Sequence, residues 1–285
     1  MAHMGMKKQR MISSVVYHLL VAAFGFIMIY PLLWMIMSSF KESSTIFREA
    51  HRLIPESFHF ENYTNGWRGF GGYTFGTFFK NSFIISVTAS IGAVLSSAII
   101  AFGFARLRFP GRNIWFTCVM MTMMLPFQVV MIPQFLIFKK LNWINTMLPI
   151  TVPYFFGQAF FIFQNMQFIR GIPMELDESA RIDGCSYYGI FLWIILPLIK
   201  PSIITTSIFS FMWRWDDFFG ALLYLNSPSK YTLSIALKMF SDPSAQSDWG
   251  AMFAMSTLSI IPILVIFLIF QKNLTDGIAT EGLKE

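Results

Sequence analysis

The chain has 285 residues, a mean hydropathy of +0.58, 55% hydrophobic residues and only 13% charged ones, which is too apolar for a soluble domain of this length and places it in a membrane. A net charge of +6 does not point to nucleic acid, because the basic residues sit at the ends of apolar stretches and form no stripe. Two cysteines, Cys118 inside an apolar run and Cys185 after a charged segment, give no metal-ligand spacing and no expected disulfide.

Taking about twenty apolar residues as the length that crosses the hydrocarbon core, six spans are predicted, at 12–39, 81–105, 114–138, 147–169, 191–213 and 251–271. The opening MAHM reads as an expression scar, and the first span is long enough to stay in the membrane as an anchor without a cleaved signal. Lys7, Lys8 and Arg10 precede that span and should keep the N-terminus, residues 1–11, in the cytoplasm. The polar segment from Lys41 to Lys80 then lies outside. Span two returns the chain to the loop RLRFPGR, where Arg106, Arg108 and Arg112 agree with a cytoplasmic position.

Span three contains Pro126 and Pro133, and span four contains Pro149 and Pro153. Proline at membrane depth removes a backbone donor and is tolerated where protein or a water-lined cavity satisfies the freed carbonyls, so these helices should be kinked and face protein. Lys139 and Lys140 lie outside between them, against the charge rule, but beside Trp143 they can snorkel. Span four ends in QNMQFIRGIP and delivers the chain to the cytoplasm. An outer segment from Arg214 to Gly250 joins spans five and six, and a polar tail, 272–285, is expected inside. The predicted architecture is therefore all-α and integral to the membrane, with a transmembrane domain over 12–271.

The segment Pro173 to Pro201, PMELDESARIDGCSYYGIFLWIILPLIKP, runs a highly charged stretch straight into an apolar one. Pro173 suits a first helical position, Glu175, Asp177 and Glu178 put negative charge in the first turns, and Gly184 can end the helix in a left-handed conformation. A short exposed helix from Pro173 to Asp183 is predicted. Acids dominate its polar face, which disfavours an anionic lipid surface and favours docking to a protein.

Glu178-Ser179-Ala180, three residues to Gly184, nine more to Ile194, one further, then Leu196-Pro197 has the spacing of the EAA loop, with Ser179 in place of the usual middle Ala. The chain resembles the permeases of binding-protein-dependent ABC importers, in their carbohydrate-uptake branch. The segments LPLIKPS, FMWRWDDFF, LYLNSPSKYTLSIAL and FQKNLTDGIATEGLK support the resemblance in the same order along the chain. It implies a type I importer permease fold of six transmembrane helices in which the EAA helix couples to an ATPase. Glu178 would then make a polar contact with the ATPase, Ala180 would pack closely and Gly184 would allow the turn, with Ser179, Arg181, Asp183, Leu196 and Pro197 completing the coupling loop. The Asp216-Asp217 pair stands where the family usually has Asn followed by an acid.

No G-x-x-x-x-G-K-[ST] is present, so ATP and Mg are expected on partner subunits and the chain is expected to be no enzyme. The resemblance implies a second permease, two ATPase copies, an extracytoplasmic binding protein and a bacterial cell-membrane location with both termini cytoplasmic. A secondary transporter would want ionisable groups near the midplane, and spans two to four and six have none. An intramembrane enzyme would need a nucleophile and base, and none is evident. Candidate substrate-path residues are Gln128, Gln158, Gln164 and Asn165, whose amides suit sugar hydroxyls and equally suit helix-to-helix hydrogen bonds.

Overall fold

A computed structural model describes the backbone of residues 2–240 and 248–282 and the side chains of residues 10–240 and 248–271. All regular structure among them is helical. In a bilayer this is the natural solution for an open chain, because a helix satisfies its own backbone donors and acceptors. The chain forms two compact units, residues 1–68 with 239–258 and residues 69–238 with 259–285.

The first unit is built on α1, Ala2–Ser38, with Pro31 inside it. The sequence of α1 is apolar on every face, and from Arg10 to Tyr30 its residues are exposed apart from half-buried Gly25. A turn-rich segment leads to α2, Glu61–Arg68. Buried Asn62 fixes that entry by donating from Nδ2 to the carbonyls of Ser39 at 2.9 Å and Lys41 at 2.8 Å. Ser43 donates to Asp248 Oδ1 at 2.7 Å and accepts from the Gly250 amide at 2.9 Å, tying the same segment to the start of the last helix, α11 (Trp249–Gly282).

The second unit is organised around α3, Phe75–Arg106, whose buried face carries Ser82, Ser86, Ala89, Ala93, Ser97 and Ala101. Small residues at spacings of three and four make a shallow groove, so neighbouring helices approach closely. Two neighbours fill it, α6 (Ala159–Arg170) and α8 (Lys200–Trp215). At the Arg106 end the core is Phe102, Ile162, Met166, Ile169, Ile190, Ile195 and Ile199. At the opposite end Ile85, Phe138, Ile150, Tyr224, Leu225 and Ile235 form a second cluster with α9, Phe219–Tyr224, and α10, Leu233–Phe240. The LYLNSPSKYTLSIAL segment is held there by backbone capture: Asn81 donates to the Ser229 and Tyr231 carbonyls, and Ser82 Oγ accepts from the Leu233 amide at 2.8 Å.

Three of the six expected spans are continuous helices long enough to cross: Arg10–Ser38, Phe75–Arg106 and Trp249–Gln271. The other three are interrupted, each at prolines. Span three is two helices, α4 (Arg112–Met123) and α5 (Phe127–Lys140), bent by 102° around Leu125-Pro126. Proline drives its predecessor out of helical space, and the break follows from that; Pro133 is carried inside α5. Span four begins as 3₁₀ turns at Leu148–Ile150 and Val152–Phe156, passes through Gly157 at φ +90°, and becomes α-helical only at Ala159. Span five, expected as one helix, is π-helical over Ile190–Ile195 and bends by 78° into α8 around Ile199. Pro197 and Pro201 supply no N–H to the turns before them, which breaks the ladder there.

Candidate coupling loop and polar path

The predicted exposed helix is present as α7, Glu175–Ile182. Pro173 does not occupy its first position; it precedes the helix by two residues, and Met174 is the cap. The far end closes as a Schellman turn. The Cys185 amide donates to the Ala180 carbonyl at 2.9 Å, the Gly184 amide donates to the Arg181 carbonyl at 3.0 Å, and Gly184 takes φ +85°. Ser186 restarts the chain two residues later, its Oγ accepting from the Gly189 amide at 3.3 Å.

This geometry gives α7 two faces. Asp177 and half-buried Ala180, three residues apart, face inward, and Ala180 packs on the chain's own core beside Cys185. Glu175, Glu178, Ser179, Arg181 and Ile182 are exposed, as are the cap Asp183 and Gly184. Ile182 is 86% exposed and Tyr188 84% exposed, an unusual outlay of apolar surface on a loop outside the spans. The Arg181 guanidinium lies 5.0 Å from the Tyr187 ring centroid, so part of this charge is held against an aromatic face. Leu196 is half-buried and Pro197 exposed, both in the single turn Leu196–Leu198 beyond the π-helical segment.

The charge rule accounts for Arg106 only as a cytoplasmic cation; the fold gives it a partner that the charge rule does not predict. Arg106 ends α3, and its Nε lies 3.0 Å from Asp177 Oδ2 with side-chain exposures of 4% and 9%. Its other nitrogens donate to the Ile172 carbonyl at 2.8 Å and to Met174 Sδ at 3.0 Å. Asp177 Oδ1 accepts no hydrogen bond from the described residues, and Arg106 Nε donates none, so its contact with Oδ2 is an ion pair rather than a hydrogen bond. Burial pushes the Asp177 carboxyl above its ordinary value, Arg106 pulls it back down and Glu178 adds to the rise.

The four candidate path residues are separated by the fold. Asn165 is fully buried; its Nδ2 donates to the Phe161 carbonyl at 2.9 Å and to Thr206 Oγ1 at 3.4 Å, and its Oδ1 accepts from Ser202 at 2.7 Å. That amide is spent on joining α6 to α8. Gln164 is half-buried, with Oε1 unpaired among the described residues, and Gln128 is exposed on α5. Gln158 stands at the irregular start of α6, where its backbone N–H donates to Ser97 Oγ at 3.0 Å. With Thr122, Met123, Gly157, Ala159 and Phe160 it lines a cavity of about 400 Å³. Two backbone interruptions therefore meet at one polar hollow, an arrangement a bilayer tolerates where backbone lines a cavity.

A second polar group, absent from the sequence candidates, sits around the FMWRWDDFF segment. Arg214 donates to the Tyr154 hydroxyl, lies 4.4 Å from its ring centroid and pairs with Asp217 at 3.3 Å. Asp217 Oδ1 accepts from the Gly220 amide at 3.0 Å. Asp216, its exposed neighbour, takes no part in that cluster.

A helical membrane bundle with a proline-broken polar hollow and a separate amphipathic helix displayed on a loop defines a transport component. Residues 93–280 match the family described as "Binding-protein-dependent transport system inner membrane component", and the chain belongs to that family. It is a permease subunit of an ABC importer, located in the membrane and not itself an enzyme. The chain is 34% identical to the arabinooligosaccharides transport system permease AraQ of Halalkalibacterium halodurans, over 92% of this chain and 94% of that one. It is 31% identical to the galactooligosaccharides transport system permease GanQ of Bacillus subtilis, over 98% of each. Among solved structures, a chain of a bacterial ABC transporter for the acidic polysaccharide alginate has the same fold, with a TM-score of 0.78 at 22% identity, covering 92% of this chain and 96% of that one.

Proposed function

We propose that this permease subunit carries a sugar or oligosaccharide inward, with a second permease completing the path and two ATPase copies supplying ATP and Mg. An extracytoplasmic binding protein delivers the solute, and both termini face the cytoplasm. The observation that carries this reading is the outward face of α7: Glu178, Arg181 and Asp183 stand around exposed Ile182, so charge and apolar surface are presented together, the composition of a docking contact. The sugar class is supported by the oligosaccharide systems named for the relatives and by the Gln158 hollow, whose amide can both donate to and accept from hydroxyls.

Transport then follows as a biased two-state equilibrium. Inward- and outward-facing forms differ by a few kcal/mol, and closure of the ATPase pair around ATP favours one of them through α7. No covalent chemistry is required of this chain.

The test is Glu178→Lys. The ATPase is expected to be lost from the purified complex and uptake abolished, while the permease stays in the membrane. Wild-type uptake with the ATPase retained would overturn the docking assignment.

A further inference from the structure

Three acids lie in the first turns of α7, yet only Asp177 turns inward, and it does so onto the last residue of the central helix. Burying a carboxylate and a guanidinium is costly, and such a pair often adds little stability over apolar packing; what it adds is a defined register between the two elements. An apolar residue at 177 would have served for packing alone, as Ala180 does one turn later.

Resting on the docking of α7 to the ATPase, we propose that Arg106 and Asp177 form the linkage through which movement of α7 reaches α3. Both are positioning residues of the coupling step. Arg106 meets the chain at the Ile172 carbonyl, Met174 Sδ and Asp177 Oδ2, so one planar fork grips the end of the α6–α7 connection and the first turn of α7 together. Translation or rotation of α7 is thereby passed to the end of α3, and α3 packs against both α6 and α8. Separating a buried pair leaves an uncompensated charge out of water, so the grip resists the pull of the docked partner. The outward face of α7 carries the docking and the inward face carries the transmission.

A lysine at 106 would keep the charge and lose the fork. The test therefore compares Arg106→Lys, Asp177→Asn and Asp177→Glu in the whole complex of both permeases and the ATPase. Cys118 and Cys185 are replaced by Ser, and spin labels are placed on cysteines substituted at Glu175, exposed in the first turn of α7 and outside the residues assigned to docking, and at Gly103, where an added Cβ meets nothing within 4 Å. The unmodified pair is expected to give one narrow label-to-label distance that Mg-ATP leaves unchanged, because the two helix ends move together. Arg106→Lys and Asp177→Asn are expected to lose that narrow distance while the ATPase still co-purifies, and Asp177→Glu is expected to recover part of it.

A distance that shifts with Mg-ATP in the unmodified complex, or that stays narrow in Arg106→Lys and Asp177→Asn, overturns the linkage. Loss of the ATPase from these two variants also overturns it, since the pair would then shape the docking surface. Failure of the docking reading itself shows separately, as an ATPase retained by Glu178→Lys.

Discussion

Ser202 on α8 donates its hydroxyl to the side-chain oxygen Oδ1 of Asn165 on α6 at 2.7 Å, and both side chains are completely buried. Asn165→Leu removes this bridge and the weaker one to Thr206. Interhelical hydrogen bonds in membranes are worth about 0.6 kcal/mol on average and at most about 1.7. The expected cost is about 1 kcal/mol, read as a lower unfolding midpoint in detergent, with solute affinity unchanged. Altered affinity at unchanged stability would place Asn165 on the path instead.

Gly157 holds φ +90°, and a Cβ there would meet Ile100 Cδ1 at 2.6 Å and Ile162 Cδ1 at 3.1 Å. Gly157→Ala is expected to cost about 1 to 3 kcal/mol through backbone strain and crowding. It should also deform the Gln158 hollow. Gly103→Ala, with open space around its Cβ, is the control and should be neutral or mildly stabilising. Thermal unfolding of the two variants separates them; equal midpoints would contradict this account of the break.

At Gly184 the constraint is conformational, since nothing lies within 4 Å of an added Cβ. A graded series follows, with Asn mildest because it visits the left-handed region, Ala intermediate at about 1 to 2 kcal/mol, and Val worst. Uptake and ATPase co-purification should fall in that order. A Val variant as active as Asn would show that the Schellman turn does not set the α7 angle.

Asp217 and Asp216 should behave differently despite being adjacent. Asp217→Ala leaves half-buried Arg214 without its carboxylate, held by Tyr154 alone, and frees the Gly220 amide, at an expected cost of about 1 to 3 kcal/mol. Asp217→Asn keeps an acceptor for Gly220 and should cost less. Exposed Asp216→Ala should stay within about 0.5 kcal/mol. Unfolding midpoints of the three variants decide the order.

For Asp177 the raised pKa works in two directions. Between 3.8 and the raised value, the folded chain binds this proton more tightly than the unfolded one, so the group's contribution to stability falls as pH rises through that window. The pair with Arg106 needs the carboxylate and is lost as pH falls through the raised value. The narrow distance between α3 and α7 should therefore broaden on acidification, at a higher pH than exposed carboxylates titrate. Asp177→Asn should show no such limb.

Much of the candidate site could be read along the chain. Pro173, the acids of the first turns and Gly184 locate α7, and Gly184 takes the left-handed turn because glycine alone enters that conformation freely. Prolines 126, 133, 149 and 153 predict kinked spans, and breaks fall at all but Pro133, which α5 carries inside it; span five gives no expectation of a π-helical stretch and a 78° bend. Which glutamine would line a cavity was not legible, because Gln128, Gln158 and Gln164 are alike in type and separated only by how their helices rotate.

The sequence by itself determined the membrane class, the apolar stretches, the displayed helix and the absence of a P-loop, since span length, composition and turn chemistry are local properties. The tertiary structure alone decided that Asp177, of three neighbouring acids, meets Arg106, and that Asn165 joins helices. Both outcomes depend on the angles at which α6 and α7 lie against α3 and α8, and those angles are set by close packing of small residues and by breaks at proline, between positions far apart in the chain.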